Sequence, residues 1–254
     1  MPTTKAIATG DRSPAIIANR SVYWLCRHWL LVANLLFGLY AGLPWAAPVL
    51  MKIGWRNAGT AIYSIYSTQC HQLPQRSFFL FGPQRMYSLS DIQANWQTRD
   101  NPVILRRFIG NPALGWKVAW SDRMVSMFTS VFLFGLLYDP LRKRLRPLSI
   151  WGFVLLVLPM VVDGTTHALS DLAGIGRGFR DGNAWLVAAT GNALSTVFYA
   201  GDALGSFNSW MRLITGALFG LGVVWFAYPH LESAFTDAAR EIESKLLGAG
   251  LTLP

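Results

Sequence analysis

Asp163 and His167 stand four positions apart near the end of a long apolar stretch. On a helix this spacing puts both side chains on one face, where a carboxylate can orient an imidazole for metal binding or hold its proton for acid–base chemistry. Cys70 and His71 supply two more side chains of the types that bind zinc. The sequence therefore allows a site for Zn²⁺ or another divalent metal ion at Cys70, His71, Asp163 and His167.

The same residues also fit an ion-pair network without a metal. Arg76 and Arg123 lie in or beside apolar segments, and a charge inside a bilayer costs at least about 2.5–3.5 kcal/mol, so it is usually paired or functional. In this interpretation Asp163 pairs with Arg76 or Arg123, and His167 caps the end of a helix. Both interpretations predict one shared polar pocket, formed by Cys70, His71, Arg76, Asp122, Arg123, Asp163 and His167.

No sequence motif assigns a reaction. The sequence contains no phosphate-binding loop, nucleotide-binding fingerprint, GxSxG nucleophile elbow or HExxH zinc motif. Arginines near the predicted pocket, among them Arg177 and Arg180, would suit a phosphate-bearing lipid because the planar guanidinium matches phosphate oxygens. The sequence leaves open whether the chain is an enzyme.

The elements that must position these residues are long apolar helices. Of the 254 residues, 52% are hydrophobic and only 14% are charged, whereas soluble domains are about one quarter charged. About 20 apolar residues in a helix span the hydrocarbon core of a bilayer. We predict an all-α, polytopic transmembrane helix bundle within residues 29–230, with about five spans at 29–51, 118–138, 148–169, 184–202 and 210–228.

Three further segments have other predicted structures. Residues 1–28 are interpreted as a polar N-terminal tail followed by a basic approach to the membrane. Residues 59–82 are apolar but contain Pro74 and Arg76, which a continuous span would not accommodate, so we predict a re-entrant or interfacial hairpin. Residues 231–254 alternate apolar and charged positions at helical spacing, which predicts an amphipathic C-terminal helix.

The basic residues predict the orientation in the membrane. The segment 139–147, between the second and third spans, carries four Lys or Arg, and such loops remain in the cytoplasm. The N-terminus is then also cytoplasmic, and the polar pocket lies toward the outer leaflet. Asp202 would lie at the cytoplasmic end of the fourth span, facing Arg212 or water.

The basic residues that give the chain its net charge of +9 flank apolar spans. This placement favours membrane lipids as partners and excludes nucleic acid.

Two hypotheses for the function follow. The first is a non-catalytic membrane component or an accessory subunit of a larger complex. Gly216 and Gly220 form a GxxxG pattern that lets helices approach closely, within the bundle or against a membrane-protein partner. The alternative is a metal-binding membrane protein, or an enzyme that acts on a lipid or phosphate-bearing substrate at the outer leaflet.

The segment CHQLPQRSF, from Cys70 to Phe78, resembles the signature C-H-Q-x-P-x-R-S-F of a bacterial polytopic membrane-protein family catalogued as domain of unknown function 2085. The segment DGTTH at 163–167 is similar to a second signature, D-G-x-x-Q, and Thr190-Gly191 matches the end of a third. Where the family carries C-x-R-C, residues 121–124 are SDRM, so two thiolates that could bind a metal are missing. The resemblance implies a multi-pass protein of the bacterial cytoplasmic (inner) membrane and no particular reaction.

Overall fold

The computed structural model describes residues 14–253, which form a mostly helical bundle with a small sheet. The helices are α1 (Pro14–Lys52), α2 (Arg56–Tyr66), α3 (Leu89–Asn95), α4 (Pro102–Leu105), α5 (Asp122–Leu141), α6 (Ile150–Asp171), α7 (Phe179–Gly182), α8 (Ala184–Thr190), α9 (Thr196–Tyr199) and α10 (Phe207–Gly248). A 3₁₀ turn at Pro74–Arg76 and the strands β1 (Ser77–Leu80), β2 (Gly110–Asn111) and β3 (Gly115–Ser121) precede α5. The predicted helical architecture is confirmed, whereas the sheet contradicts the all-α expectation.

Four of the described helices, α1, α5, α6 and α10, are long and apolar enough to cross a membrane. The shortest of them, α5, has 20 residues and therefore rises about 30 Å, the thickness of a hydrocarbon core. Large apolar side chains such as Leu35, Leu158 and Ile214 are exposed on these helices, as expected for surfaces that meet lipid. Residues 14–253 thus contain four candidate spans, one fewer than the sequence predicts.

The span predicted at 184–202 is not formed. Helix α8 has seven residues and rises about 10 Å, which is too short to cross a bilayer. It ends at Gly191 and Asn192, whose φ angles of 59° lie in the left-handed region that terminates helices. A new turn starts at Ser195, whose side chain caps α9. As a result, α6 ends and α10 begins at the same end of the bundle.

Two long helices extend beyond the predicted spans. The predicted fifth span and the predicted amphipathic tail up to Gly248 form one continuous helix, α10, of 42 residues, about 63 Å long. Helix α1 already begins at Pro14, within the predicted tail and approach segment, and it is kinked at His28, where φ is −118° and ψ is 17°. Residues 1–13 of the predicted tail lie outside the described part of the chain.

Residues 59–82, the segment of the predicted hairpin, contain most of α2, the 3₁₀ turn and β1. After α2 the chain turns at Pro74–Arg76 and enters β1, which pairs antiparallel with β3, and the sheet order is β1-β3-β2. Gly115 permits this pairing, because a Cβ atom there would lie 2.2 Å from the carbonyl oxygen of Leu80. Since β3 occupies residues up to Ser121, α5 starts at Asp122 and not at position 118 as predicted.

Helix α10 is the central packing element of the bundle, with α5, α6 and α1 against it. Gly216 and Gly220 face α5: a Cβ atom on Gly220 would lie 2.0 Å from Ser130 Oγ, and one on Gly216 would lie 3.0 Å from Ser126 Cβ. Ser130 Oγ donates a hydrogen bond to the carbonyl of Gly216 at 3.3 Å. The GxxxG pattern therefore serves packing between α10 and α5 within this chain.

Candidate functional site

Charged side chains converge at the end of the bundle where α5 and α10 begin and α6 ends, which we call the pocket end. Asp163, His167 and Asp171 follow one another at four-residue spacing and thus share one face of α6. The network comprises four arginines, four aspartates and one histidine, namely Arg76, Arg123, Arg180, Arg212, Asp122, Asp163, Asp171, Asp202 and His167. The four guanidinium groups and the four carboxylate groups balance in charge, so they can be buried together.

Arg212 of α10 lies at the centre of this network and is 2% exposed. Its Nε donates to Asp122 Oδ1 at 2.7 Å, and its Nη1 donates to Asp202 Oδ1 at 2.6 Å. Its Nη2 donates to the backbone carbonyl of Asp202, also at 2.6 Å. One guanidinium thereby joins the start of α5 to the loop that precedes α10.

Arg76 holds the segment after the 3₁₀ turn to the same network. Its Nη1 and Nη2 form a bidentate pair with Asp171, both at 2.7 Å, and its Nε contacts Asp202 Oδ2 at 2.7 Å. Burial alone would lower the pKa of Arg76, but the two carboxylates outweigh it and raise the pKa above its ordinary value. Burial would raise the pKa of Asp202, whereas Arg76 and Arg212 hold it well below its ordinary value. Both groups are therefore charged.

Asp163 accepts hydrogen bonds from two arginines through different oxygens. Arg123 Nη2 lies 2.7 Å from Oδ2, and Arg180 Nη2 lies 2.6 Å from Oδ1. Arg180 also donates to Thr166 Oγ1 at 3.0 Å and to Asn208 Oδ1 at 3.1 Å. The carboxylate that the sequence offers as a metal ligand is thus engaged with guanidinium groups.

Both ring nitrogens of His167 have partners. Nε2 lies 3.2 Å from Arg212 Nη1, and Nδ1 lies 3.2 Å from the backbone carbonyl of Asp163. The same two nitrogens also lie 3.5 Å from Asp163 Oδ1 and 3.6 Å from Asp202 Oδ1, so groups of the network surround the imidazole. Residues 14–253 contain no group of three or more His, Cys, Asp or Glu side chains that could hold a metal ion. The geometry favours the ion-pair interpretation over a metal site.

A cavity of about 420 Å³ opens beside the network. It is lined by residues of α5, α6 and α10 and by the loop with the CHQ sequence. The network residues and predicted site residues that line it are Cys70, His71, Arg76, Arg123, His167, Asp171 and Arg212. Asp122 and Asp163, by contrast, contact the cavity only through the arginines that they bind. The structure therefore brings five of the seven predicted pocket residues to one cavity and the other two directly behind it.

Of the three arginines that line this cavity, Arg123 has the most unused hydrogen-bond donors. A guanidinium has five N–H groups, and the side chain of Arg123 uses one of them, toward Asp163. Its Nε is buried without a hydrogen-bond partner in residues 14–253, although the side chain as a whole is 22% exposed. The unused Nη donors of this cavity-lining side chain are available to a ligand.

The loop with Cys70 and His71 is fixed by its neighbour, Gln72. The backbone of Gln72 has a φ angle of +51°, and its buried amide donates to the carbonyls of Tyr63 and Ala119, both at 2.9 Å. The thiol of Cys70 accepts a hydrogen bond from the Gln72 N–H at 3.4 Å, and His71 is exposed to solvent. Gln72 thus ties the cavity loop to α2 and β3.

Lys117 supports the same loop from inside the sheet. Its Nζ donates to the backbone carbonyls of Gln72 at 2.7 Å and Arg106 at 2.8 Å, and the side chain is fully buried. Burial lowers the pKa of Lys117, Cys70 opposes this change and the nearby Arg106 adds to it, so that the pKa is about 7. Lys117 was not among the predicted site residues, because an isolated lysine between apolar residues carries no sequence signal for burial.

Two aspartates of the network, Asp171 and Asp202, were not among the predicted pocket residues. Both bind Arg76, and Asp202 also binds Arg212. The expected proximity of Asp202 and Arg212 is correct, but the pair lies at the pocket end and not at the opposite end of a fourth span. The spacing of four residues between His167 and Asp171 was the one local signal for Asp171.

Comparison with known proteins gives a family match over part of the chain. Residues 112–226 match the model of a family described as "Predicted membrane protein (DUF2085)". The chain is 26% identical to an uncharacterized protein of the archaeon Methanocaldococcus jannaschii over 208 residues, which cover 79% of this chain and 88% of that protein. No solved structure matches the chain. These findings support the resemblance to this family of membrane proteins of unknown function.

The matched residues include the DGTTH segment and begin after the CHQ segment. They also include Ser121, Arg123 and Met124, which line the cavity together with Cys70 and His71. At these positions the cavity wall has a hydroxyl, a guanidinium and a thioether.

Proposed function

We propose that this chain is a non-catalytic membrane protein that binds a phosphate-bearing group, of a lipid or of a solute, in the cavity at the pocket end. The observation that carries this proposal is the Arg123 side chain. It lines the cavity with one donor bound to Asp163 and with a buried Nε that has no partner in residues 14–253. A buried donor without a partner is costly, and a phosphate oxygen is the acceptor that best fits a guanidinium.

The charge distribution around the cavity suits an anionic ligand. Arg76, Arg123 and Arg212 line the cavity, whereas three of the four aspartates that neutralise the network lie behind them. A phosphate group would therefore meet guanidinium and imidazole groups first. The volume of about 420 Å³ falls in the usual range for small-ligand pockets.

We infer that the pocket end faces outward across a cytoplasmic membrane. The basic segment 142–146 connects α5 to α6 at the opposite end of the bundle, and Lys and Arg in short loops remain in the cytoplasm. With four spans, both ends of the described chain lie on that same cytoplasmic side. A ligand would then be bound at the outer leaflet or from the space outside it.

The hypothesis of an accessory subunit has less support than ligand binding. The sequence supported that hypothesis with the GxxxG pattern of Gly216 and Gly220. In the structure, α5 of the same chain covers these two glycines. Association with membrane-protein partners would need another surface. The metal-binding alternative has the difficulty that Asp163 and His167 are already engaged with other groups.

Binding can be measured by isothermal titration calorimetry on the detergent-purified chain. The probes are inorganic phosphate, glycerol 3-phosphate and dioctanoyl phosphatidic acid, each against the wild type and Arg123→Gln. Loss of one charge-assisted hydrogen bond should weaken binding by about tenfold to a hundredfold. Arg177→Gln is the matched control, because Arg177 lies at the surface, paired with Asp100, and does not line the cavity.

The three probes separate the two sources of the phosphate. Tighter binding of the phosphatidic acid than of glycerol 3-phosphate would identify a lipid, and equal binding would identify a solute. The proposal is wrong if the wild type binds none of the probes, or if Arg123→Gln and Arg177→Gln bind them equally well.

A further inference from the structure

A second cavity, of about 470 Å³, lies at the other end of the bundle, between α1 and α5. It begins at the kink of α1 and follows the two helices toward the middle of the bundle, and we call it the kink groove. The residues that line it are Arg27, His28, Trp29, Leu30, Leu31, Asn34, Leu35, Phe132, Leu136, Asp139 and Arg142. Its polar residues and its apolar residues are separated along the helix axes.

The polar end of the kink groove is basic. Arg27 is exposed and its side chain has no ion pair or hydrogen bond to another residue of the described chain. Arg142 is held in position by Glu232 at 3.3 Å and by Asp139, also in the groove lining, at 3.5 Å. The Glu232 carboxylate also accepts a hydrogen bond from Trp29 Nε1 at 2.8 Å. These contacts leave donors of both arginines available at the mouth of the groove.

The kink of α1 orients a third polar group at this end. At His28 the backbone departs from helical geometry, and the ring Nδ1 donates to the carbonyl of Trp24 at 2.9 Å. The ring stacks on Trp24 with 4.6 Å between centroids. His28 belongs to the groove lining, and its Nε2 has no hydrogen-bond partner in residues 14–253. Aromatic and basic residues side by side are typical of the headgroup level of a membrane.

The rest of the kink groove is apolar and open to hydrocarbon. From Arg27 to Leu35 the helix rises about 12 Å, and Leu31, Leu35 and Leu136 are 52%, 64% and 47% exposed. The buried amide of Asn34 closes the floor by donating to the carbonyl of Gly135 at 3.3 Å. An occupant must therefore combine an anionic group with an apolar chain.

We infer that the kink groove binds one anionic phospholipid of the leaflet at the basic end of the bundle, with its phosphate at Arg27, His28 and Arg142 and one acyl chain along α1 and α5. The charge at this end favours such an occupant. The acidic residues Asp139 and Glu232 are outnumbered by the basic residues Arg27, Arg142, Lys143, Arg144 and Arg146. This site is separate from the cavity at the pocket end.

Native mass spectrometry tests this site. The chain is extracted from vesicles that contain equal amounts of phosphatidylglycerol and phosphatidylcholine, and the lipids retained on wild type, Arg27→Gln and Arg144→Gln are counted. Wild type should retain one phosphatidylglycerol in preference to phosphatidylcholine. Arg27→Gln should lower this preference about fivefold, the equivalent of about 1 kcal/mol for one basic residue at a membrane surface. Arg144→Gln, a control of the same chemistry outside the groove, should keep it.

Arg27 has no partner within the described chain, so its replacement should leave the fold intact, and circular dichroism of the variant verifies this. The inference is overturned by equal retention of the two lipids on wild type. It is also overturned by an equal loss in Arg27→Gln and Arg144→Gln, which would indicate a diffuse attraction to the basic surface, or by a second copy of the chain retained in place of lipid.

Discussion

Asp202 bridges two arginines that come from distant parts of the chain. Its Oδ1 lies 2.6 Å from Arg212 Nη1 and its Oδ2 lies 2.7 Å from Arg76 Nε, while Asp202 is 5% and Arg212 is 2% exposed. Three elements meet at this one carboxylate: the turn after the CHQ sequence, the loop before α10 and α10 itself. The pocket end depends on this junction.

Replacing Asp202 by Asn should destabilise the protein strongly. The amide has nearly the same shape, but Arg76 and Arg212 then keep only Asp171 and Asp122 as carboxylate partners, and the buried network carries one positive charge in excess. Breaking a buried ion pair in this way costs about 3–5 kcal/mol. The free energy of unfolding in mixed micelles, followed by tryptophan fluorescence, measures the effect. Asp100→Asn removes the partner of the exposed Arg177 and should cost less than about 1 kcal/mol. Equal effects of the two substitutions would contradict the central role of Asp202.

Gly220→Ala should separate α10 from α5. The added methyl would lie 2.0 Å from Ser130 Oγ and 2.8 Å from the backbone nitrogen of Val131, and overpacking of this kind costs about 1–3 kcal/mol. Gly42→Ala in α1 is the control, because nothing lies within 4 Å of its added Cβ. It should be neutral or stabilising by up to about 1 kcal/mol, since alanine is the better helix former. Thermal unfolding in detergent compares the two variants, and a stabilised Gly220→Ala would show that the two helices do not pack as described.

Stability should rise with pH above neutrality because of Lys117. Its pKa is lowered to about 7 in the folded protein, against about 10.4 for a solvated lysine. Between these two values the unfolded chain binds more protons than the folded one, so the free energy of unfolding increases with pH by up to about 1.4 kcal/mol per unit. Below pH 7 lysine is protonated in both states, and its full burial cost remains.

Lys117→Met should remove this pH dependence. Melting temperatures of wild type and variant between pH 6 and pH 9.5 give the comparison, and the difference between the two curves isolates this residue from other titrating groups. Lys245→Met is the control, because Lys245 is exposed and paired with Glu241. Its melting temperature should change with pH in parallel with that of wild type. Parallel curves for Lys117→Met and wild type would mean that Lys117 does not titrate in this range.

Labelling of single cysteines should find the two ends of the bundle on opposite sides of the membrane. In a variant with Cys26 and Cys70 replaced by Ala, a cysteine in place of Arg177 should react with a membrane-impermeant maleimide on intact cells. A cysteine in place of Arg144 should react only after the membrane is permeabilised. The reverse pattern would invert the orientation, and reaction of both on intact cells would rule out α6 as a complete span.

The sequence by itself determined the membrane character of this chain and the residue types of its pocket. Hydrocarbon thickness sets the length of a span, so the apolar stretches of α1, α5 and α6 are recognisable without any knowledge of their neighbours. Charge in such stretches is costly, so Asp163 and His167 were identifiable as partners of other polar groups. Their spacing of four residues is a local property, and the helix preserves it.

The tertiary structure decided which partners these residues have. Asp202 meets Arg76 because the chain between α6 and α10 remains at one end of the bundle, and Gly191 and Asn192 break the apolar segment that hydropathy alone interprets as a span. Strand β1 is stabilised by its hydrogen bonds with β3. Because these strands are distant in sequence, their pairing cannot be predicted from local composition. Apolar length and helical period are properties of neighbouring residues, whereas ion pairs and strand pairing depend on where distant segments come to lie.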